Sequence, residues 1–270
     1  MLVDGKAVAA AIYEDISKTL RALDGVPTLT IISCDPQGPS KRYVALKERQ
    51  AGKIGINVVH KELPGTATTE MMVDAVTDAH TTSSAIIVQL PLPSHIDAEA
   101  VLAAIEPSHD VDSLRYNGTD EELLPPVVGA ILAIASAHQY SFLDKYIVVL
   151  GEGRLVGKPF LTYAKERGFD TTLITETTEN PEEILRSADV IISGVGKPGL
   201  VSSSSVKNGV AIFDAGTSEV GGVLEGDVEP SVAKKAHIFT PVPGGIGPVT
   251  MAVLFQNCVL LKKRAVKNMI

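Results

Sequence analysis

Cysteine is scarce in this 270-residue chain, which contains only Cys34 and Cys258. Two cysteines cannot build the disulfide framework of a small secreted domain. The sequence also has no CxxC or HExxH spacing of the kind that holds a metal ion. We therefore expect no metal site, and a reducing, cytoplasmic environment fits this composition.

Positive charge is in short supply as well, because 24 Lys and Arg face 32 Asp and Glu, for a formal net charge of -8. Nucleic acids and anionic membranes bind basic faces, so neither is expected as the main partner. The N-terminal MLVDGKAVAAAIYED lacks the basic start and unbroken apolar core of a signal peptide, and no apolar run is long enough to span a bilayer. These features favour a small-molecule ligand.

Apolar periodicity predicts alternating helices and strands. In the first half we expect, in order, a helix over 6–23, a strand over 28–33, a helix over 40–54, a strand over 56–63, a helix over 68–80, a strand over 84–90 and a short helix after residue 97. A helix over about 121–138 leads to a second half with strands in KYIVVLG, DTTLIT, ADVIISGVG, VAIFDAG and HIFTPV, and with a last helix over about 248–267. Strands separated by helices of this length indicate parallel sheets covered on both faces. The fold class is therefore α/β, with two units.

A glycine-rich turn follows the strand KYIVVLG. Gly151, Gly153 and Gly157 have GxGxxxG spacing and precede a predicted helix. Such a turn allows close backbone approach to a pyrophosphate at a helix N-terminus, although packing alone also explains glycines here. A second turn, GVGKPG, contains Gly196 and follows another strand, which favours dinucleotide binding.

Charges near these turns bear on the choice of cofactor. Glu176 follows the second strand of this half, where an acidic residue often binds the adenosine ribose hydroxyls of NAD. Glu152 would repel the additional phosphate of NADP, and Arg154 could offset that repulsion. Charge alone therefore favours NAD.

The segment SKRYVALKERQ places Tyr43 and Lys47 four residues apart, on one face of a helix. A lysine beside an aromatic ring in a partly dry crevice loses solvation, so its pKa falls and it can exchange protons near neutral pH. VQLPLP ends a strand with Gln89, and HDVDSLRYNG supplies Asp110 and Asp112 before a turn. Each signal also has an ordinary structural reading, as a surface lysine, a local amide bond or a turn cap.

Together these segments carry a resemblance. YVALK, VQLPLP, DVD, the turn ending in VGKPF, GVGKPG, GDVE and TPVPGGIGPVTMAVL occur in the order found in bifunctional methylenetetrahydrofolate dehydrogenase/methenyltetrahydrofolate cyclohydrolase. The resemblance covers residues 1–265. It implies a three-layer α/β catalytic domain (1–120, completed by the helix 246–270), a Rossmann-like NAD(P)-binding domain (121–245), a cleft between them for folate and nicotinamide, and a homodimer.

The resemblance also implies roles for individual residues. Lys47 would be the acid/base of hydrolysis, Gln89 would orient it, Tyr43 would stack along the folate, and Asp112 would hold the pterin edge. The remaining folate contacts would come from Pro243, Gly244 and Gly247 of the proline- and glycine-rich loop. The cofactor contacts would be Gly151, Glu152, Gly153, Arg154, Glu176, Gly196, Thr217 and Thr250.

Three departures from the family pattern are visible. Glu152-Gly153 stands where NADP-preferring members usually carry Arg-Ser, LPPVVG replaces a Cys-Thr-Pro segment, and Ser113 replaces the glycine after DVD. They leave NADP, the family's usual cofactor, and NAD both open. Two alternatives to the bifunctional enzyme also stay open, a monofunctional methylenetetrahydrofolate dehydrogenase and a non-catalytic folate- or nucleotide-binding regulator.

Overall fold

The computed structural model describes residues 1–119 and 123–267 and divides into two compact units. One comprises residues 12–115 and 254–270, and we call it the three-stranded unit after its sheet. The other comprises residues 1–11 and 116–253, and we call it the five-stranded unit. Two of the three boundaries fall within helices, α1 (Gly5–Ala22) and α8 (Ile246–Lys267).

The three-stranded unit contains a parallel sheet in the order β2-β1-β3. Its elements are β1 (Thr28–Cys34), α2 (Gly38–Ile54), β2 (Asn57–Leu63), α3 (Thr69–His80), β3 (Ala85–Val88) and α4 (Ala98–Ala103). Local sequence sets the helix starts, since the Thr68 side chain caps α3 at Met71 N and Asp97 caps α4. All four residues of β3 are buried although β3 ends this strand order, since parallel sheets are covered on both faces.

The five-stranded unit contains a parallel sheet in the order β10-β7-β6-β4-β5. Its elements are α5 (Pro126–Ala137), β4 (Tyr146–Leu150), α6 (Gly157–Glu166), β5 (Asp170–Ile174), α7 (Pro181–Ser187), β6 (Val190–Ser193), β7 (Ala211–Asp214), the antiparallel hairpin β8 (Ser218–Val220) and β9 (Val223–Glu225), and β10 (Ile238–Phe239). Because the five strands are parallel, the loops after them leave the sheet at one edge.

The predicted fold class is confirmed, and some predicted bounds are wrong. The strand predicted in HIFTPV covers only Ile238–Phe239, because Pro241 has no N–H for a ladder. The helix predicted from about residue 121 begins at Pro126 among the described residues, whereas residue 121 lies outside them. No helix of the described chain is long and apolar enough to cross a membrane. The domain bounds inferred from the sequence stay a prediction.

Candidate active site

Lys47 lies on α2 in the three-stranded unit, and it is only 8% exposed. Its Nζ donates a hydrogen bond of 2.7 Å to Gln89 Oε1, on the segment that follows β3. A charged lysine is rarely this buried without a partner. The helix and the end of the sheet therefore bring together two polar side chains that are 42 positions apart in the sequence.

Gln89 is held so that its oxygen faces the lysine. Its backbone N–H donates to Ile32 O at 2.8 Å, and its side-chain Nε2 donates to Leu90 O at 2.7 Å. Since the amide nitrogen already has an acceptor, the amide oxygen is left for Lys47. The side chain thus orients the amine, and the cis Leu90-Pro91 peptide follows directly.

Burial changes the proton affinity of this lysine. It lowers the pKa of Lys47 below its usual range, and the Asp112 carboxylate opposes that shift in part. Burial likewise raises the pKa of Asp112, against the effect of the Lys47 ammonium. In both groups desolvation disfavours the charged form. A lysine with a lowered pKa can take up and release a proton closer to neutral pH.

Asp112 lies on a tight turn that is held by hydrogen bonds to the side chains of Asp110 and Asn257. Asp110 Oδ2 accepts a hydrogen bond from Leu114 N at 2.6 Å, and Asn257 Nδ2 donates to Val111 O at 3.0 Å. Ser113 has a φ of 53°, a left-handed conformation that glycine adopts most easily. The chain therefore keeps the backbone that favours glycine at this position while carrying serine.

Tyr43 precedes Lys47 by one turn of α2 and is 39% exposed. Of the four residues predicted to be catalytic, the structure joins Lys47 and Gln89 directly and brings Asp112 within electrostatic reach of the lysine. Tyr43 shares their helix, and its exposed ring leaves a flat surface one turn away. No group of three His, Cys, Asp or Glu in the described residues could hold a metal ion.

The predicted cofactor residues of the five-stranded unit follow its parallel strands. Gly151, Glu152, Gly153 and Arg154 come after β4, Glu176 after β5, Gly196 after β6, and Thr217 after β7. Dinucleotides bind at this carboxyl edge in open α/β sheets. Glu152, Arg154 and Glu176 are all exposed there. Thr250 instead lies on α8, one turn after its start, where its Oγ1 donates to Ile246 O at 3.2 Å.

The first glycine turn is too tight to hold a side chain at its last glycine. A side chain on Gly157 would overlap Gly151 O, so the chain can turn this tightly only with glycine at the start of α6. The second turn packs against the first, because a Cβ on Gly194 would lie 2.5 Å from Val156 Cβ. The two turns that the sequence singled out are therefore neighbours.

The proline- and glycine-rich loop joins β10 to α8. Its Gly245 N donates to Pro241 O at 2.7 Å, and Gly244 O accepts from Gly5 N at 3.0 Å. The Val242-Pro243 peptide is cis, and Pro243 and Gly247 are exposed. The loop is thus a fixed turn with open backbone, as a loop that contacts a flat ligand requires. The assignment of Pro243, Gly244 and Gly247 to folate stays a prediction.

Two buried carboxyl groups were not predicted from the sequence to have a role. Asp214 is 2% exposed and Asp227 is fully buried, and both bond to the loops after β6 and β7. Asp227 lies in GDVE, one of the segments that carry the family resemblance, but the resemblance assigned no role to this aspartate. Asp214 sits in VAIFDAG, where it read as the end of a strand.

The five-stranded unit has adjacent glycine turns at the ends of its parallel strands, and the three-stranded unit buries a lysine with a lowered pKa. Together these features define a nucleotide-dependent enzyme with acid/base chemistry. The family comparison agrees. Residues 3–112 match the tetrahydrofolate dehydrogenase/cyclohydrolase catalytic domain, and residues 125–266 match the NAD(P)-binding domain of the same family. The chain belongs to the tetrahydrofolate dehydrogenase/cyclohydrolase family.

Individual relatives match along nearly the whole chain. The bifunctional protein FolD of Lactobacillus gasseri is 34% identical over 97% of this chain and 98% of its own. The crystal structure of FolD from Campylobacter jejuni superposes with a TM-score of 0.94 at 31% identity, covering 98% and 99% of the two chains. FolD from Trypanosoma brucei, solved with NADP and an inhibitor, has a TM-score of 0.91 at 33% identity, covering 98% of each chain. The predicted family and enzyme class are confirmed.

Proposed function

We propose that this enzyme oxidises methylenetetrahydrofolate to methenyltetrahydrofolate with NAD(P) and then hydrolyses the product to 10-formyltetrahydrofolate. The observation that carries the proposal is the buried Lys47 amine, 2.7 Å from Gln89 Oε1. Hydrolysis needs a group that both accepts and donates protons, and a desolvated lysine meets that need. The family supports the dehydrogenase half through its NAD(P)-binding domain.

Hydrolysis calls for two proton transfers at Lys47. Water adds to the methenyl carbon and loses a proton to the neutral Lys47 amine. The C–N bond to the ring nitrogen then breaks as the added hydroxyl becomes the formyl C=O and loses its proton to solvent, and the ring nitrogen takes its proton from the Lys47 ammonium. Gln89 Oε1 keeps Nζ in place through both transfers, and Asp112 stabilises the charged form of the lysine.

Oxidation requires less from the side chains of the protein than hydrolysis does. NAD(P), when bound, would supply the hydride acceptor, and the adjacent folate nitrogen would assist the departure of the hydride from the methylene carbon. The protein must therefore hold the folate in the orientation that hydride transfer requires. We assign that task to Tyr43, Asp112 and the open backbone of Pro243, Gly244 and Gly247. No dedicated base is needed for this step.

The proposal includes a preference for NAD over NADP. Glu152 and Glu176 are exposed on loops at the carboxyl edge of the five-stranded sheet, where a 2′-phosphate would meet their negative charge. Arg154 lies in the same turn and opposes this effect. We also place the enzyme in the cytoplasm as a homodimer. The low cysteine content supports the location, and light scattering on the purified protein tests the dimer.

One assay tests the function and the cofactor together. Turnover of methylenetetrahydrofolate is measured with NAD and with NADP, and the methenyl product is followed by its absorbance. We expect a higher kcat/KM with NAD and decay of the methenyl signal. Accumulation without decay would instead indicate a monofunctional dehydrogenase, and tight ligand binding with no turnover would indicate a regulator.

A charge reversal at Glu152 tests the effect of this residue on the choice between NAD and NADP. Glu152→Arg should shift the kcat/KM ratio toward NADP by about tenfold, since it removes a repulsive charge and adds an attractive one. Glu166→Arg makes the same charge change at the far end of α6 and should leave the ratio unchanged. An unchanged ratio in Glu152→Arg would contradict the assignment of Glu152 to the phosphate position.

A further inference from the structure

Two carboxyls lie beneath the cofactor edge of the five-stranded unit, and neither has a part in the chemistry above. Asp227 follows the hairpin β8–β9 and is fully buried, and Asp214 ends β7 with 2% of its surface exposed. Buried carboxyls are costly unless several donors converge on them. Their partners therefore show what the fold uses them for.

Asp227 takes its donors from the turn after β6. Its Oδ2 accepts from Ser193 Oγ at 2.5 Å and from Val195 N at 2.8 Å, and its Oδ1 accepts from Lys197 N at 2.7 Å. Two of these donors are backbone amides of the GVGKPG turn. Because those amides bond inward to Asp227, the backbone between them bulges outward at Gly196, which has a φ of 77°.

Asp214 does the same for the next loop. Its Oδ1 accepts from Gly216 N and its Oδ2 from Val228 N, each at 2.9 Å. Its own N–H donates to Thr240 Oγ1 at 2.7 Å, at the start of the proline- and glycine-rich loop. The Asp214 carboxyl therefore ties the end of β7 to Gly216 and Val228, and the Thr240 hydroxyl ties it to the segment after β10.

The packing around this pair leaves no room for larger residues. A Cβ on Gly216 would overlap the Asp227 carboxyl, and a Cβ on Gly226 would overlap Asp214 Oδ2. Across the top of the pair, Ser218 Oγ donates to Gly196 O at 2.6 Å. The turn after β6 and the loop after β7 thus form one braced backbone, and it carries Gly196 and Thr217.

We propose that Asp227 is a positioning residue for the nicotinamide cofactor, because it holds Gly196 and, through its contact with Gly216, Thr217 in the backbone arrangement that the cofactor binds. This inference rests on the proposed function, in which Gly196 and Thr217 contact the cofactor. Asp227 touches neither substrate nor cofactor in this scheme and acts only through the turns.

The requirement for a carboxylate follows from the count of donors. Three donors meet two oxygens, and an asparagine supplies only one oxygen and adds an N–H₂ group. In Asp227→Asn at least one of the three donors must face that N–H₂ group, so the turn has to shift. Ser193→Ala removes one donor and leaves both backbone bonds, so it should have a smaller effect.

The experiment measures nucleotide affinity apart from hydrolysis. The dissociation constant for NAD and NADP is measured by calorimetry, KM is measured for the nucleotide and for methylenetetrahydrofolate, and cyclohydrolase activity is assayed on methenyltetrahydrofolate without nucleotide. Asp227→Asn should raise the nucleotide dissociation constant and KM about tenfold, and should leave folate KM and hydrolysis within about twofold of the parent enzyme. Glu225→Gln removes a charge from an exposed residue near Asp227, and it should leave both nucleotide binding and hydrolysis unchanged.

Ser193→Ala gives a second reading if Asp227→Asn fails to fold. It should weaken nucleotide binding by about threefold, with hydrolysis unchanged. The inference is overturned if a folded Asp227→Asn binds nucleotide normally, if hydrolysis falls in parallel with oxidation, or, where only Ser193→Ala folds, if that variant binds normally. An inactive parent enzyme that still binds nucleotide would count against the proposed function alone, because calorimetry tests the turn directly.

Discussion

Replacing Lys47 with methionine removes the proton carrier and keeps a side chain of similar length. The lysine is 8% exposed, and its Nζ bonds to Gln89 Oε1 at 2.7 Å. Methionine fills the same slot with an apolar, adaptable chain. The change therefore tests the chemistry of the amine more than the packing of α2.

The loss in hydrolysis can be estimated from the role assigned to the amine. A positioned acid/base group contributes about 10²–10⁴ in rate, which corresponds to about 3–5 kcal/mol in the barrier. Stability should change less, since two effects oppose each other. Leaving Gln89 Oε1 without its donor costs about 1–3 kcal/mol, while removal of a desolvated ammonium returns part of that free energy.

The two reactions are assayed separately, each from its own substrate. Lys47→Met should hydrolyse methenyltetrahydrofolate at least about a hundredfold more slowly, and should still form it from methylenetetrahydrofolate and NAD(P), so that the methenyl absorbance accumulates. Lys41→Met serves as the matched control, because Lys41 is an exposed lysine of the same helix. A normal hydrolysis rate in folded Lys47→Met would refute the role of this amine.

Two further predictions concern stability. Burial, with the Asp112 charge, raises the pKa of Asp110 to about 6 from 3.8, so ionisation of this group lowers the free energy of unfolding by up to about 3 kcal/mol as pH rises from 4 to 7. Asp110→Asn can keep the acceptor for Leu114 N and should therefore gain stability at pH 7 and little at pH 4 in urea denaturation; an equal change at both pH values would contradict this. Gln139 follows α5 with a φ of 53°, so Gln139→Gly should raise the free energy of unfolding by about 0.5–1 kcal/mol in the same assay, whereas Gln139→Ala should not; equal values for the two variants would argue against backbone strain there.

The sequence predicted the fold wherever periodic apolar residues marked long elements. Both sheets and their parallel connections were predictable, because helices alternate with strands along the chain. The hairpin β8–β9 was missed, although Gly221-Gly222 between SEV and VLE is a two-residue turn signal, and both glycines have positive φ. The strands are only three residues long, which is too short for alternation to stand out.

The site was predictable in its residue types and less so in its contacts. Tyr43 and Lys47 share a helical face by simple spacing. The bond from Gln89 Nε2 to the adjacent Leu90 O is local, but nothing local could show that Gln89 Oε1 would meet the Lys47 amine, 42 positions away. The same holds for Asp227, since its donors at Ser193, Val195 and Lys197 lie about thirty residues earlier in the chain. Such pairs depend on sheet order, which periodicity does not specify.

Two of the departures from the family pattern preserve backbone geometry. Ser113 takes the left-handed conformation itself, at a cost of about 1 kcal/mol relative to glycine. In LPPVVG, Pro126 begins α5, where a missing N–H carries no penalty. Gly129 of the same segment stays small because a Cβ there would lie 2.8 Å from Val253 Cγ1 on α8. The replaced segment thus still supports a closely packed helix.

In the proposed scheme, the proton transfers of hydrolysis and the binding of the nucleotide depend on separate hydrogen-bonded groups. Lys47, Gln89 and Asp112 all belong to the three-stranded unit, and the bonds described here that fix them also lie in that unit. The turns assigned to the cofactor belong to the five-stranded unit, where Asp214 and Asp227 hold them. Because the Lys47 amine and the Asp227 carboxylate share no hydrogen-bond partner among the described residues, the free-energy effects of removing each should be nearly additive. We therefore expect that one substitution on α2 can slow hydrolysis alone, and that one at the GVGKPG turn can weaken nucleotide binding alone.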